Sequence, residues 1–221
     1  MKTSGTGVRT RNPQGEGFRL RQELIAAAGR LLASGADIET LSLRGMAREA
    51  GVAAPSVYLH FANKEALLQA VVDEHFAALR QAIETGSAGA QDAASGLLAG
   101  CLAYCRYAEE QPGSYRILFN TPRLMPSGSE FAGSKAAAAF QTLVDGIAES
   151  IAAGIARPGD PFRIATDIWP TLHGIASLRM TTPGFPWPQV EDQVRGILEA
   201  FTGIPYREPL PTEEYAHDRS A

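Results

Sequence analysis

Cysteine is scarce in this chain: 221 residues include two, Cys101 and Cys105. A disulfide-stapled scaffold is thereby excluded, and with no export signal the scarcity points to a reducing, cytoplasmic setting. Long apolar runs are missing as well. No stretch approaches the roughly 18 to 20 residues that a membrane helix needs, and the first residues are polar and basic, unlike a signal peptide. No membrane partner is expected. The 4 histidines and 2 cysteines form no cluster at metal-ligand spacing. There is also no glycine-rich phosphate loop and no nucleophile–base spacing, so no enzyme activity, catalytic residue, metal or cofactor is expected. Alternating strand patterns and internal repeats are absent too, which leaves helix.

What is present is a globular composition, 45% hydrophobic and 20% charged, in a chain long enough to bury a core without staples. The net charge of −4 is unevenly spread. Residues 1–61 carry eight basic and five acidic side chains, a balance of +3, and the remainder carries twelve and nineteen, a balance of −7. A basic head on an acidic body suits a protein whose one end meets phosphate.

Residues 1–17 lack periodicity and read as a flexible basic arm. Leu20, Leu24, Ala27, Ala28, Leu31 and Leu32 then recur at helical spacing, with Gly35 as a stop. A short helix follows Ser42, its N-cap, through Leu43, Met46, Ala47 and Ala50 to Gly51. A third helical segment spans 54–61, and a fourth starts after Asn63 with the stripe Leu67, Leu68, Val71, Val72, His75, Phe76, Leu79 and Ile83. The segment Thr85 to Gln91, with Gly86 and Gly89, reads as a break. Further helices follow around Leu97 to Ala108, Pro112 to Phe119, Phe140 to Ile155, Pro161 to Thr182 and Val190 to Phe201, with a loop over 120–128. The expected fold is all-α with about nine helices: a helix-turn-helix domain at 18–65, a larger helical domain at 66–203 and a polar tail at 204–221.

Two short helices joined by a glycine turn and flanked by basic residues are what a DNA-reading helix-turn-helix requires. The string Leu43-Arg44-Gly45-Met46-Ala47-Arg48-Glu49-Ala50-Gly51-Val52, then Ser56-Val57-Tyr58-Leu59-His60-Phe61, then Asn63-Lys64-Glu65-Ala66-Leu67-Leu68 has that form. Ser42 and Arg44 sit where a helix start and a long basic side chain hold phosphate, and Tyr58, His60 and Lys64 cluster where donors meet the backbone. In order and spacing this string resembles the N-terminal signature of the TetR family of transcriptional regulators, over about residues 18–76. The resemblance implies backbone contacts from Tyr58, His60 and Lys64.

The chain departs from that pattern at Ala53 and Ala54, where a polar cap and a polar base reader are usual. Loss of a hydroxyl cap costs about 1 kcal/mol, partly offset by Pro55 in the first turn. Readout is then left to Ser56, Arg44 and the arm, with methyl contacts from Ala53, Ala54 and Pro55 to thymine as a substitute. Arg9 and Arg11 either enter the minor groove or belong to a solubilising tail.

The stretch Ile168-Trp169-Pro170-Thr171-Leu172-His173-Gly174 resembles a Trp-His-Gly signature of one subgroup of TetR-type C-terminal domains. Its helix is apolar on two faces, Ala165, Ile168, Trp169, Leu172, His173 and Ala176 on one and Ile164, Thr171, Ile175 and Leu178 on the other. Two faces need two partners, one in its own domain and one in a second subunit, which with the last helix gives a four-helix homodimer interface. Candidate ligand-binding residues are Tyr104, Tyr115, Phe119, Phe140, Trp169 and His173, with Tyr107 and Met180 behind them. Cys101 and Cys105 read as small buried hydrophobes rather than a thiol sensor or metal pair. The expected function is a repressor that binds a near-palindromic double-stranded operator as a homodimer and releases it for a small-molecule effector. The alternative is a ligand-binding or partner-binding protein whose head no longer reads DNA.

Overall fold

The computed structural model describes residues 16–119, 122–126 and 128–206. Arg9, Arg11, the first fifteen residues of the expected arm and the tail from residue 207 lie outside them. Among the described residues there are nine α-helices, two 3-10 helices and no strand, so the chain is all-α as its periodicity requires. None of these helices is long and apolar enough to cross a membrane. The chain forms two compact units, one of Met1–Glu74 with Arg116–Met125 and one of His75–Tyr115 with Pro126–Ala221.

The first unit holds α1 (Glu16–Ala33), α2 (Leu43–Glu49), α3 (Ala54–Val57) and the start of α4 (Lys64–Ser87). The Ser42 hydroxyl accepts the Gly45 N–H at 3.1 Å and starts α2. Gly51, at φ +70°, makes the turn into α3, a backbone angle that a side chain resists. The Asn63 side chain then caps α4 through the Ala66 N–H at 2.8 Å. Leu24, Met46, Val57, Leu67, Leu68 and Val71 are essentially fully buried and lock the short helices together. Each such side chain contributes about 1.5–3 kcal/mol on burial.

In the second unit α5 (Ala93–Glu110) is the central helix, packed against α7 (Lys135–Ala152), α8 (Pro161–Thr181) and α9 (Val190–Thr202). Asp92, Ser134 and Asp160 cap α5, α7 and α8 through the N–H groups of Ser95, Ala137 and Phe162. Pro161 occupies the first turn of α8, where its missing N–H is harmless. Between α5 and α7 lie α6 (Pro112–Phe119), where the sequence also placed a helix, and two 3-10 helices, Pro122–Leu124 and Gly128–Gly133, the first inside the loop expected over 120–128 and the second starting at its end.

Three helix limits differ from the sequence expectation. The third helix spans Ala54–Val57 alone, and Tyr58 to Phe61 continue it as tightened turns in which Leu59 and His60 bond back three residues to Ser56 and Val57. α4 runs through Thr85 and Gly86 to Ser87, because Gly86 is a point of close approach and not a stop: a Cβ there would lie 2.5 Å from Ala103 Cβ on α5. α7 ends at Ala152 instead of near Arg157. The Ile155 N–H reaches back to the Ser150 carbonyl and Gly154 N–H to that of Ile151, a Schellman closure that leaves Ile155 outside the helix.

Candidate nucleic-acid interface and ligand site

In the first unit one side of the helix-turn-helix is fastened and the other is left open. The Arg30 guanidinium donates to the Glu49 carboxylate at 3.0 Å, tying α1 to the end of α2. Arg21 lies over the Phe61 ring at 5.2 Å, a cation–π contact that fixes α1 to the segment after α3. Arg116 donates to the Ala33 carbonyl at 2.7 Å, and Arg123 pairs with Glu39. By contrast Arg44 and Arg48 are exposed, one turn apart on α2, and no ion pair of either is found among the described residues. Residues four apart share a helix face, so both guanidinium groups stand on one side. The motif reasoning named Arg44 and passed over Arg48, although that four-residue spacing was there to be read.

Around them the other expected contact residues take distinct places. Ser42 is exposed, with its oxygen engaged by the cap and its proton available to donate. Tyr58 is 58% exposed, so its phenol is presented to solvent. His60 is half-buried, and a Cβ built on Gly17 would lie 3.7 Å from its ring, which places it against the first turn of α1. The Lys64 ammonium donates to the Ile38 carbonyl at 3.1 Å, a bond that uses one of its three protons and orients the rest. Ala53 makes no side-chain cap for α3, as its methyl requires, and Ala53 and Pro55 are exposed while Ala54 and Ser56 are half-buried.

The second unit gathers a polar cluster inside an aromatic wall. Tyr104 and Tyr115 are buried, with hydroxyls 2.9 Å apart, and the Tyr115 hydroxyl lies 2.7 Å from His173 Nδ1. Tyr115 stacks on the imidazole at 5.6 Å, and the indole of Trp169 lies tilted to the same ring at 6.5 Å. Phe140 meets Trp169 edge-on at 5.9 Å and Phe162 at 5.6 Å. Burial raises both phenols above the usual tyrosine range and holds His173 below the usual imidazole range. The cluster is therefore uncharged near neutrality. With its proton on Nε2, the imidazole completes a donor chain from Tyr104 through Tyr115 to Nδ1.

Of the other candidates, the Tyr107 hydroxyl points at the His75 carbonyl, Met180 is half-buried toward the end of α8, and Phe119 falls in the first unit. Trp169, placed by periodicity on the buried stripe of α8, is 38% exposed. On the other stripe Ile175 is buried and Leu178 is exposed, and on α9 Phe201 is exposed. A Cβ on Gly174 would meet nothing within 4 Å, so this stretch of α8 has an open, small-residue surface. Cys101 and Cys105 are both buried, and burial pushes the Cys105 thiol up to about 12 and Cys101 in the same direction.

Residues 24–71 match the family described as bacterial regulatory proteins, tetR family. Residues 97–201 match the family described as tetracyclin repressor-like, C-terminal domain. Among solved structures, a Rhodococcus sp. RHA1 protein of unknown function is similar at 29% identity and TM-score 0.71, over 86% of this chain and 97% of that one. A TetR family transcription regulator from Marinobacter aquaeolei VT8 shares the fold at 17% identity and TM-score 0.66, over 84% and 95% of the two chains. One from Shewanella sp. PV-4, a putative member of the same family by its own description, does so at 19% and 0.64, over 83% and 96%.

Proposed function

This chain belongs to the TetR family of transcription regulators, and from that premise we propose that it is a homodimeric repressor which holds a near-palindromic operator and releases it for a small molecule. The observation that carries this reading is the one-sided head. Arg44 and Arg48 on α2 and Tyr58 directly after α3 are exposed, while Leu43, Met46, Ala47 and Val57 of the same two helices are buried. Side chains of this kind on a rigid platform serve to neutralise phosphates.

A single short helix reads few base pairs, so selectivity calls for two heads about 34–36 Å apart on successive major-groove turns. Leu178 on α8 and Phe201 on α9 supply exposed apolar contact for a second copy, with Gly174 allowing close helix approach. The Tyr104–Tyr115–His173 cluster, walled by Phe140 and Trp169, is the proposed effector site. A buried polar network of this kind offers the differential contacts by which a ligand prefers one conformation. In this reading the protein works in the cytoplasm and catalyses nothing.

The test is a gel shift of the full chain on palindromic duplexes. Sequence-selective, salt-sensitive binding by a dimer is expected. Arg44→Ala should weaken it while ligand-induced stabilisation of the protein persists. Ligand-induced stabilisation without any selective DNA binding would instead mean a ligand-binding protein with a degenerate head, the reading to which the uncapped Ala53 lends weight.

A further inference from the structure

The side chains exposed on α3 and at its N-cap have almost no hydrogen-bonding capacity. Ala53 and Pro55 are exposed, Ser56 is half-buried and Val57 is buried. The next exposed groups are Tyr58 and Leu59, and Leu59, at 77%, has the highest exposure of the large apolar side chains among the described residues. The long donors Arg44 and Arg48 belong to α2, outside the reading helix. Ser56 is the one hydroxyl on α3, and its reach is short.

The major groove of B-DNA presents donors and acceptors on every base pair, and it presents one apolar group, the C5 methyl of thymine. A reading surface of methyl and methylene groups can discriminate only that feature directly. Resting on the operator binding proposed above, we infer that this chain selects its half-site through thymine methyl groups, packed against Ala53, Pro55 and Leu59. A second consequence follows from the same chemistry. Because no polar side chain at these positions distinguishes the thymine carbonyl from a cytosine amine, a 5-methylcytosine–guanine pair, which carries its methyl at the same point of the groove, is accepted in place of thymine–adenine.

Selection of duplexes from a randomised palindromic library with the full chain would supply the half-site. Uracil then replaces each thymine in turn, 5-methylcytosine–guanine replaces the same pairs, and affinities are read by fluorescence anisotropy. Loss of one contacted methyl should weaken binding about fourfold, from the transfer free energy of a methylene-sized group. The methylated pair should restore most of that loss. In Ala53→Gly the helix start is not weakened, since glycine is a better N-cap than alanine, and uracil should cease to matter at the one position that Ala53 covers. A selective operator indifferent to uracil at every position would overturn the methyl reading and leave operator binding intact. Failure of any selective duplex to emerge would overturn both.

Discussion

Gly86 and Gly100 face the same helix pair from opposite sides, and replacing each by alanine should move stability in opposite directions. A Cβ on Gly86 would sit 2.5 Å from Ala103 Cβ, nearly an ångström inside ordinary contact, whereas one on Gly100 would meet Ile83 at 3.4 Å and Ser87 at 4.0 Å. Forcing the first methyl in requires α4 and α5 to separate, and overpacking of this kind costs about 1–3 kcal/mol. Alanine returns about 1 kcal/mol over glycine inside a helix, and less near an end, where Gly86 lies. Gly86→Ala should therefore destabilise by about 1–2 kcal/mol, while Gly100→Ala, with room for its methyl, should stabilise by up to about 1 kcal/mol. Ala103→Gly removes the atom that clashes, so in the Gly86→Ala background it should recover part of the loss, a coupling that independent sites would not show. Urea denaturation followed by circular dichroism measures the wild type, the three single variants and the Gly86→Ala/Ala103→Gly double variant. If Gly86→Ala were as stabilising as Gly100→Ala, the close approach of α4 and α5 would be wrong.

Acidification should weaken the fold through His173. Burial holds its folded pKa below the unfolded value of about 6.5, so the unfolded chain binds the proton first as the pH falls. The stability that rests on a neutral His173 is present above about pH 6.5 and is lost as the pH drops from there toward the folded pKa. Urea midpoints between pH 5 and 7.5 should fall more steeply for the wild type than for His173→Gln, and equal slopes would refute this. Cys101 and Cys105 should resist a thiol reagent at pH 8 in the native protein and react on unfolding, because burial keeps both protonated. Native labelling at the rate of a free thiol would contradict that account.

Much of the fold was legible because the same residues carry both the period and the punctuation. Ser42, Gly51 and Asn63 mark helix boundaries by chemistry that does not depend on tertiary context, and the buried stripe of α4 repeats at helical spacing without interruption. Gly86 misled because a glycine that ends a helix and a glycine that admits a neighbouring helix look identical in one dimension. Ala103, which decides between them, lies seventeen residues on. Ile155 misled in the opposite sense: it keeps the apolar rhythm of α7 after Gly154 has already turned the backbone away. In the ligand site, aromatic residues spaced along separate helices gave a candidate set. That Tyr104, Tyr115 and His173 meet as a hydrogen-bonded chain depends on how α5, α6 and α8 pack, which no periodicity encodes. The partial exposure of Trp169 has the same origin, since its stripe on α8 is only as buried as its neighbours make it.

The central claim is that Arg44 and Tyr58 present charge and a phenol to a duplex. Its most direct measurement is the salt dependence of operator affinity for the wild type, Arg44→Ala and Tyr58→Phe. Wild-type binding should be tight and selective, with the logarithm of its affinity falling linearly with the logarithm of salt concentration. Arg44→Ala should bind more weakly, with a slope per head shallower by about 0.9, one phosphate contact removed. Tyr58→Phe should weaken binding with the slope unchanged. Affinities and slopes that are the same for all three proteins would contradict that claim.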